Sequence, residues 1–312
     1  MNARFVFNDD TRQLDLMTPA VIGRRLDVPA TVQAVNERTR QGEHTFPLLF
    51  QQILPAAGSE ATGEELGITQ LVSDRRTIFA GSSAARIQNI RAAAKNFHGL
   101  LVAPGETFSM VEQMDDVSLD NGYAEALIIF GGRTIKGVGG GVCQVSTTLF
   151  RAAIFGGFPI EERYAHAYRV SYYELGFGPG LDATVYAPLV DFKFTNDTPY
   201  WLLIESYVYQ SEIQFKFYST SDGRTVEVSA PQVSNVVLHP EPKYEENPEL
   251  AAGEIKQVDY AADGADVVVY RTVRRGGEVL FEHVIRTHYL PWQAVYQYGP
   301  GTVLPTPTPP PG

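Results

Sequence analysis

The sequence predicts an α+β protein in which a cysteine-bearing helix lies against an antiparallel sheet, preceded by a small α+β domain and followed by an elongated β-ribbon. Three observations point there. A strong helical period runs over residues 82–97, where Ile87, Ile90, Ala94 and Phe97 recur at three- and four-residue spacing. A second apolar helical stretch, residues 143–155, follows three consecutive glycines. Beyond Gly157 the chain is rich in Tyr, Val and Phe with partial period-two alternation, the pattern of strands.

Residues 1–72 read as the small α+β domain. FVFND is a short strand ending in a turn, residues 29–41 form a helix with Val32 and Val35 on one side, and Gly42 stops it. FPLLFQQI is a strand, and Thr62 followed by Glu65 starts a helical turn through a capping box. In residues 73–218, Gly99 ends the first long helix, and LLVAPGETFSM supplies a strand, a Pro-Gly turn and a second apolar segment. ALIIFGG is a strand leading into a hairpin turn at Gly131-Gly132. The next helix starts at Cys143 and turns Val145, Leu149 and Ala152 inward. AYRVSYY, DATVYA, DFKFTN and WLLIESYVY are strands. In residues 219–302, VEVSA, the stretch 255–259, DVVVYRTVRR and EVLFEHVIRTHYL are strands separated by Asp-Gly and Gly-Gly turns. They depend on cross-strand pairs more than on a large core. Residues 303–312, VLPTPTPPPG, form a Pro/Thr-rich spacer favouring polyproline II.

Composition removes several classes of function. The 312 residues carry 25 basic and 36 acidic side chains, a formal charge of -11, and no basic run, which argues against nucleic acid and anionic membranes as partners. A single cysteine excludes an intrachain disulfide framework and makes Cys143 either a small packed side chain or a functional thiol. No apolar stretch is long enough to span a bilayer, and the opening residues lack the basic-then-apolar pattern of a signal peptide. With a single cysteine and isolated histidines no metal site is expected, nor any cofactor. His283 and His288, five apart in a strand, face opposite sides. The glycines before Cys143 lack the Lys-Ser/Thr follow-up of a phosphate loop.

Residues 77–196 contain an ordered series of blocks: PGETFS at 104–109, GY at 122–123, GGGVCQVSTTLF at 139–150, ER at 162–163, His166, and LDATVYAP at 181–188. In this series the chain resembles the VanW family of bacterial envelope proteins, whose name comes from an accessory gene of glycopeptide (vancomycin) resistance clusters. The resemblance implies an extracytoplasmic protein of the cell wall or cell surface, with any membrane anchor lying outside these residues. Residues 1–72 look like the peptidoglycan-binding-type domain that often precedes this region, and residues 225–302 are similar to a G5 module, a β-rich extracellular unit associated with wall glycans. Peptidoglycan or a related wall glycopeptide is the partner this implies.

Three residues invite a chemical reading. Cys143 stands at a helix N-terminus, where free N–H groups and the helix dipole favour a thiolate. His166 and Asp182 follow, each in or beside a predicted strand. The order resembles papain-like and transglutaminase-like cores, which implies a nucleophile, a base and an orienting acid, with the N–H groups around Cys143 and Gln144 stabilising an oxyanion. The aromatic residue those enzymes carry beside the cysteine is missing, and so is the SHGC-type arrangement of L,D-transpeptidases. Gly139, Gly140 and Gly141 allow close approach of a ligand backbone. Ser146 and Thr147 line a cleft or cap the helix locally, Arg163 pairs with a ligand carboxylate or with Asp182, and Glu106 caps or orients its loop. Three functions stay open at this point: an envelope protein binding peptidoglycan or a related polymer, a cysteine-dependent hydrolase or acyltransferase on wall peptides, and a surface scaffold for another protein.

Overall fold

The computed structural model describes residues 1–130 and 133–304. The predicted hairpin turn at Gly131-Gly132 and all but the start of the Pro/Thr spacer lie outside the described residues. The architecture is α+β and is built around a four-stranded antiparallel sheet. Its strands run in the spatial order Gln70–Ile78, Glu212–Ser219, Leu202–Val208 and Leu100–Val102. Alternation in these strands feeds two cores, because successive side chains leave opposite faces of a sheet. Leu202, Ile204, Phe215 and Phe217 point to one face and join the main core. Leu203 and Tyr218 point to the other and join a smaller cluster with Phe5, Phe7, Leu66 and Ile68 of the N-terminal segment.

The cysteine helix, Val142–Gly156, packs on the main-core face. Val145, Leu149, Ala152 and Ala153 are fully buried there, spaced as one helical face requires. Polar side chains fix the helix against the strand Gln70–Ile78: the Ser73 hydroxyl donates to the Ala152 carbonyl at 2.8 Å, and Thr77 and Thr148 hydroxyls meet at 2.5 Å. The helix begins one residue earlier than the sequence suggests, so Cys143 is its second residue. A second helix, Ala84–Ala94, is capped by the Ser83 hydroxyl and continues through a 3₁₀ turn to Phe97. It lies beside the cysteine helix.

What places the start of the cysteine helix is a buried asparagine. Asn89 Nδ2 donates to the carbonyls of Ala124 and Gly140, both at 2.9 Å, and its Oδ1 accepts from the Ala124 amide at 2.6 Å. One side chain thus ties the hairpin Glu125–Phe130/Arg133–Val138 and the glycine run to the neighbouring helix. The close approach needs Gly140: a Cβ there would lie 2.3 Å from the Leu127 carbonyl oxygen. Gly141, the N-cap, sits at φ +117°, a left-handed conformation that only glycine adopts without strain.

Two predicted strands are not strands. AYRVSYY is irregular and ends in a 3₁₀ turn, Ser171–Tyr173, while DATVYA makes only isolated bridges, Tyr164 to Thr184 and Tyr186 to Val190. Side chains of the cysteine helix take the Ala183 amide and carbonyl and the Tyr173 carbonyl in place of ladder partners. Of FPLLFQQI, only Phe50–Ile53 is a strand, paired with Gly23–Leu26. DFKFTN contributes Lys193–Thr195, the middle strand of a second, three-stranded sheet with Ile160–Glu162 and Thr107–Ser109.

The C-terminal region is an elongated β structure. The long strands Gly264–Arg275 and Glu278–Tyr289 form a hairpin that also pairs Arg224–Val228 and Gln232–Val237. A three-stranded sheet follows, with Val295–Tyr298 between Lys243–Glu246 and Ile255–Asp259. The base of the hairpin is not separate from the rest, since Val267, Val269, Ile285 and Tyr289 are buried in the same core as Val145 and Leu149. No helix among the described residues is long and apolar enough to cross a membrane.

Forcing a methyl group between the glycine run and the Leu127 carbonyl overpacks the seat of the helix. Gly140→Ala is therefore expected to destabilise the fold by about 1–3 kcal/mol, read as a lowered midpoint in thermal unfolding followed by circular dichroism.

Candidate active site

Cys143, His166 and Asp182 come together at the N-terminal end of the cysteine helix. Cys143 is half-buried, whereas His166 and Asp182 are buried, 6 % and 4 % exposed. Asp182 Oδ2 accepts from both the backbone amide and the Nδ1–H of His166, at 2.7 and 2.6 Å. With Nδ1 engaged, Nε2 is the ring nitrogen left for the Cys143 thiol, with which His166 interacts electrostatically. The Cys143 sulfur also lies 3.3 Å from the Thr184 hydroxyl and 3.8 Å from the Val185 carbonyl. The ring of Tyr173 packs on the imidazole with centroids 5.0 Å apart.

The remaining carboxylate oxygen of Asp182 is also engaged. Oδ1 accepts from the Tyr289 hydroxyl and, at 3.3 Å, from Arg163 Nη2. The Arg163 side chain is 8% exposed and further donates to the carbonyls of Asp182 and Gly180 and to the Thr287 hydroxyl. It is thus an internal clamp on the acid, the second of its two sequence-based roles.

These contacts fix the charges. Burial opposes ionisation of Asp182, but hydrogen bonds and charge from His166, with Arg163 and Tyr289, hold it well below the usual carboxylate range. Burial likewise opposes the imidazolium, yet the bonds and charges of Asp182 and Cys143 raise His166 to about 9. At Cys143 burial favours the thiol, and the hydrogen bond and charge of His166, helped by Thr184 and the Val185 backbone, outweigh it and lower the group to about 7. The thiol thus titrates below the imidazole. Between these values the pair exists as thiolate and imidazolium, titrating as a coupled unit.

The other sequence candidates have definite places. The contacts that Gly139, Gly140 and Gly141 permit are with the protein itself: Val117, Leu127 and Arg86 occupy the space beside them. Gln144 is fully buried. Its amide donates to the Thr77 hydroxyl and the Ile78 carbonyl while its oxygen accepts from Arg86, so both its ends are engaged within the fold. Ser146 and Thr147 grip the backbone beside Asp182: both hydroxyls donate to the Ala183 carbonyl, at 2.6 and 3.0 Å, and Thr147 accepts from the Ala183 amide. Glu106 is exposed on a separate turn and accepts from the Ala103 amide at 2.6 Å.

Several residues of the site escape sequence reasoning. Arg151, in the third turn of the cysteine helix in a stretch that reads as apolar, is almost fully buried and donates to the Leu181 and Tyr173 carbonyls. Tyr173 belongs to no motif, and Thr184, within the LDATVYAP block, carries no chemical signal of its own. Tyr289 lies more than one hundred positions from Asp182, in a different part of the chain. In the first turn of the helix the Val142 and Gln144 amides are taken by the Gly139 and Gly141 carbonyls. The Cys143 amide has no acceptor among the described residues, leaving one donor beside the sulfur, as an oxyanion requires.

Alkylation of Cys143 by iodoacetamide, followed by mass spectrometry across pH, is expected to rise with a midpoint of about 7. Replacing His166 by Ala removes the main influence opposing burial and should return that midpoint toward the ordinary thiol value of 9.0.

Comparison with known proteins locates this site in a recognised domain. Residues 85–218 match the family described as VanW like protein. The Uncharacterized protein YoaR of Bacillus subtilis (strain 168) is 38% identical over 180 residues, covering 58% of this chain and 57% of YoaR. The Vancomycin B-type resistance protein VanW of Enterococcus faecalis (strain ATCC 700802 / V583) is 28% identical over 200 residues, covering 64% of this chain and 65% of that protein. The matched region therefore spans less than two thirds of either relative's length. Among solved structures, the IgA1 protease G5 domain aligns with 24% of this chain and 90% of its own, at 17% identity and a TM-score of 0.15. The HP0197-G5 structure aligns with 24% of this chain and 97% of its own, at 17% identity and a TM-score of 0.13. Cys143, His166 and Asp182 all lie within residues 85–218, the part of the chain that is similar to the VanW-like family.

Proposed function

We propose that this protein is an extracytoplasmic thiol acyltransferase or hydrolase acting on the peptide portion of peptidoglycan or a related wall polymer. One observation carries the chemistry: a half-buried thiol at a helix N-terminus stands beside, and is made more acidic by, an imidazole whose Nδ1 is held 2.6 Å from a buried carboxylate. Purely packed cysteines need no such partner. The wall setting is supported by the VanW domain and by a relative whose name ties it to vancomycin resistance. Polymer binding, the first of the sequence-based readings, becomes the delivery step of the same activity, with residues 1–72 as a flanking wall-binding unit.

The reaction follows from the charges. The Cys143 thiolate attacks a peptide carbonyl carbon, forming the C–S bond while the carbonyl π electrons move onto oxygen. The Cys143 amide is the donor available to that oxyanion. Collapse expels the amine, which takes its proton from the His166 imidazolium and leaves a thioester on Cys143. His166, now neutral, accepts a proton from the incoming nucleophile, water for hydrolysis or an amine for transfer, as that nucleophile bonds to the thioester carbonyl carbon. Collapse then breaks the C–S bond and restores the Cys143 thiolate and His166 imidazolium. Asp182 stays ionised throughout and keeps the imidazole in the tautomer with Nδ1–H.

Incubation of the protein with soluble peptidoglycan fragments should give a mass adduct on Cys143 and release of an amine-terminated product. The rate should rise as the thiol ionises near 7 and fall as the imidazolium is lost near 9. Cys143→Ser should lower it about 10³-fold or more. Retention on purified sacculi with neither adduct nor product would leave a binding protein without acyl-transfer chemistry.

A further inference from the structure

Asp182 is held from two directions, and one of them is the C-terminal β region. The strand Glu278–Tyr289 presents Ile285, Thr287 and Tyr289 on one buried face, as its period-two geometry dictates. Ile285 and Tyr289 belong to the core that also holds the cysteine helix. Thr287 accepts from Arg163, and the Tyr289 hydroxyl reaches Asp182 Oδ1. The next residue, Leu290, donates its amide to the Ala167 carbonyl at 2.8 Å, immediately after His166 in the chain.

The direction of the Tyr289 bond is fixed. Its oxygen accepts from the Gly180 amide at 2.9 Å, so its single proton is free to go to Asp182. Burial and the neighbouring carboxylate hold the phenol far above its ordinary range, which keeps it a donor at every working pH. Without it, Oδ1 retains only the longer contact to Arg163. A carboxylate turns easily about its terminal torsion, and a turn would take Oδ2 away from His166.

We propose that Tyr289 is a positioning residue of the Cys143 site, and that through it the C-terminal β hairpin is an integral part of the reaction centre and not an appended wall-binding module. This rests on the acyl-transfer reading above. Tyr289 touches no reacting atom; it aims the carboxylate that orients the base. The domain defined by residues 85–218 alone lacks this donor.

The test uses the full chain carrying Tyr289→Phe, which removes one oxygen and keeps the ring in the core. Iodoacetamide alkylation of Cys143 against pH, together with a titration of His166 by NMR, gives the interval in which thiolate and imidazolium coexist. In the wild type that interval runs from about 7 to about 9. In Tyr289→Phe it should narrow from both sides, with acyl transfer falling about tenfold at unchanged KM, as expected for loss of a hydrogen bond to a charged group. On an Asp182→Asn background the same substitution should have no further effect, because its influence passes through that carboxylate. An unchanged interval and rate, or additive losses in the double variant, would overturn the proposal. If Tyr289→Phe fails to fold, Thr287→Val repeats the test through Arg163: a narrowed interval supports the assignment, and an unmoved one overturns it. A wild-type thiol titrating at its ordinary value removes the acyl-transfer reading itself. A wild-type value near 7 that Tyr289→Phe leaves in place overturns only the role of the hairpin.

Discussion

The structure around Cys143 depends on one buried charge. Asp182 is 4 % exposed, and an ionised carboxylate so placed is tolerable only when its lone pairs are met by donors. Four donors meet them: the amide and Nδ1–H of His166, the guanidinium of Arg163 and the hydroxyl of Tyr289. They come from two distant parts of the chain, residues 163–166 and Tyr289, so satisfying the carboxylate assembles the site. The charge it fixes on His166 is what draws the Cys143 thiol down to about 7 against the effect of burial.

The cysteine helix has two duties that its sequence reports unequally. Its apolar face, Val145, Leu149, Ala152 and Ala153, anchors it to the sheet. Its polar side chains replace a missing strand partner for the segment carrying Asp182. Ser146 and Thr147 take the Ala183 backbone, and Arg151 takes the Leu181 and Tyr173 carbonyls. Arg151 is buried without a carboxylate in contact, and burial lowers it to about 10. Its cost is offset by the carbonyls it serves, which would otherwise be unpaired. The nucleophile and the support of its orienting acid are therefore built on one rigid element.

The α+β class, the cysteine helix and its inward face were legible because apolar side chains at helical spacing report burial directly. Cys143, His166 and Asp182 were legible as an ordered series of residue types. The irregular path of AYRVSYY and DATVYA was not, because Tyr, Val and Thr satisfy strand statistics whether or not a partner strand exists. Here the partners are side chains of a helix, which no local pattern encodes. The position of Gln144 beside the cysteine suggests an oxyanion donor. Its helical direction instead turns it inward to Thr77 and Ile78. Asn89 and Tyr289 went unnoticed for a related reason: each acts over a long separation in sequence, Asn89 on the glycine run and Tyr289 on Asp182. The strand Glu212–Ser219, an inner strand of the main sheet, is buried on both faces and so shows no alternation, and it follows its partner so closely that one run conceals two strands.

The account stands on His166 carrying a charge that Asp182 stabilises. Nitrogen-15 NMR of the His166 ring in the full chain, comparing wild type with Asp182→Asn, measures this directly. Both ring nitrogens are expected to stay protonated until about pH 9 in the wild type, with the proton lost at a clearly lower pH in the variant. A ring that is already neutral at pH 7 in the wild type, or that titrates identically in both proteins, would contradict the account.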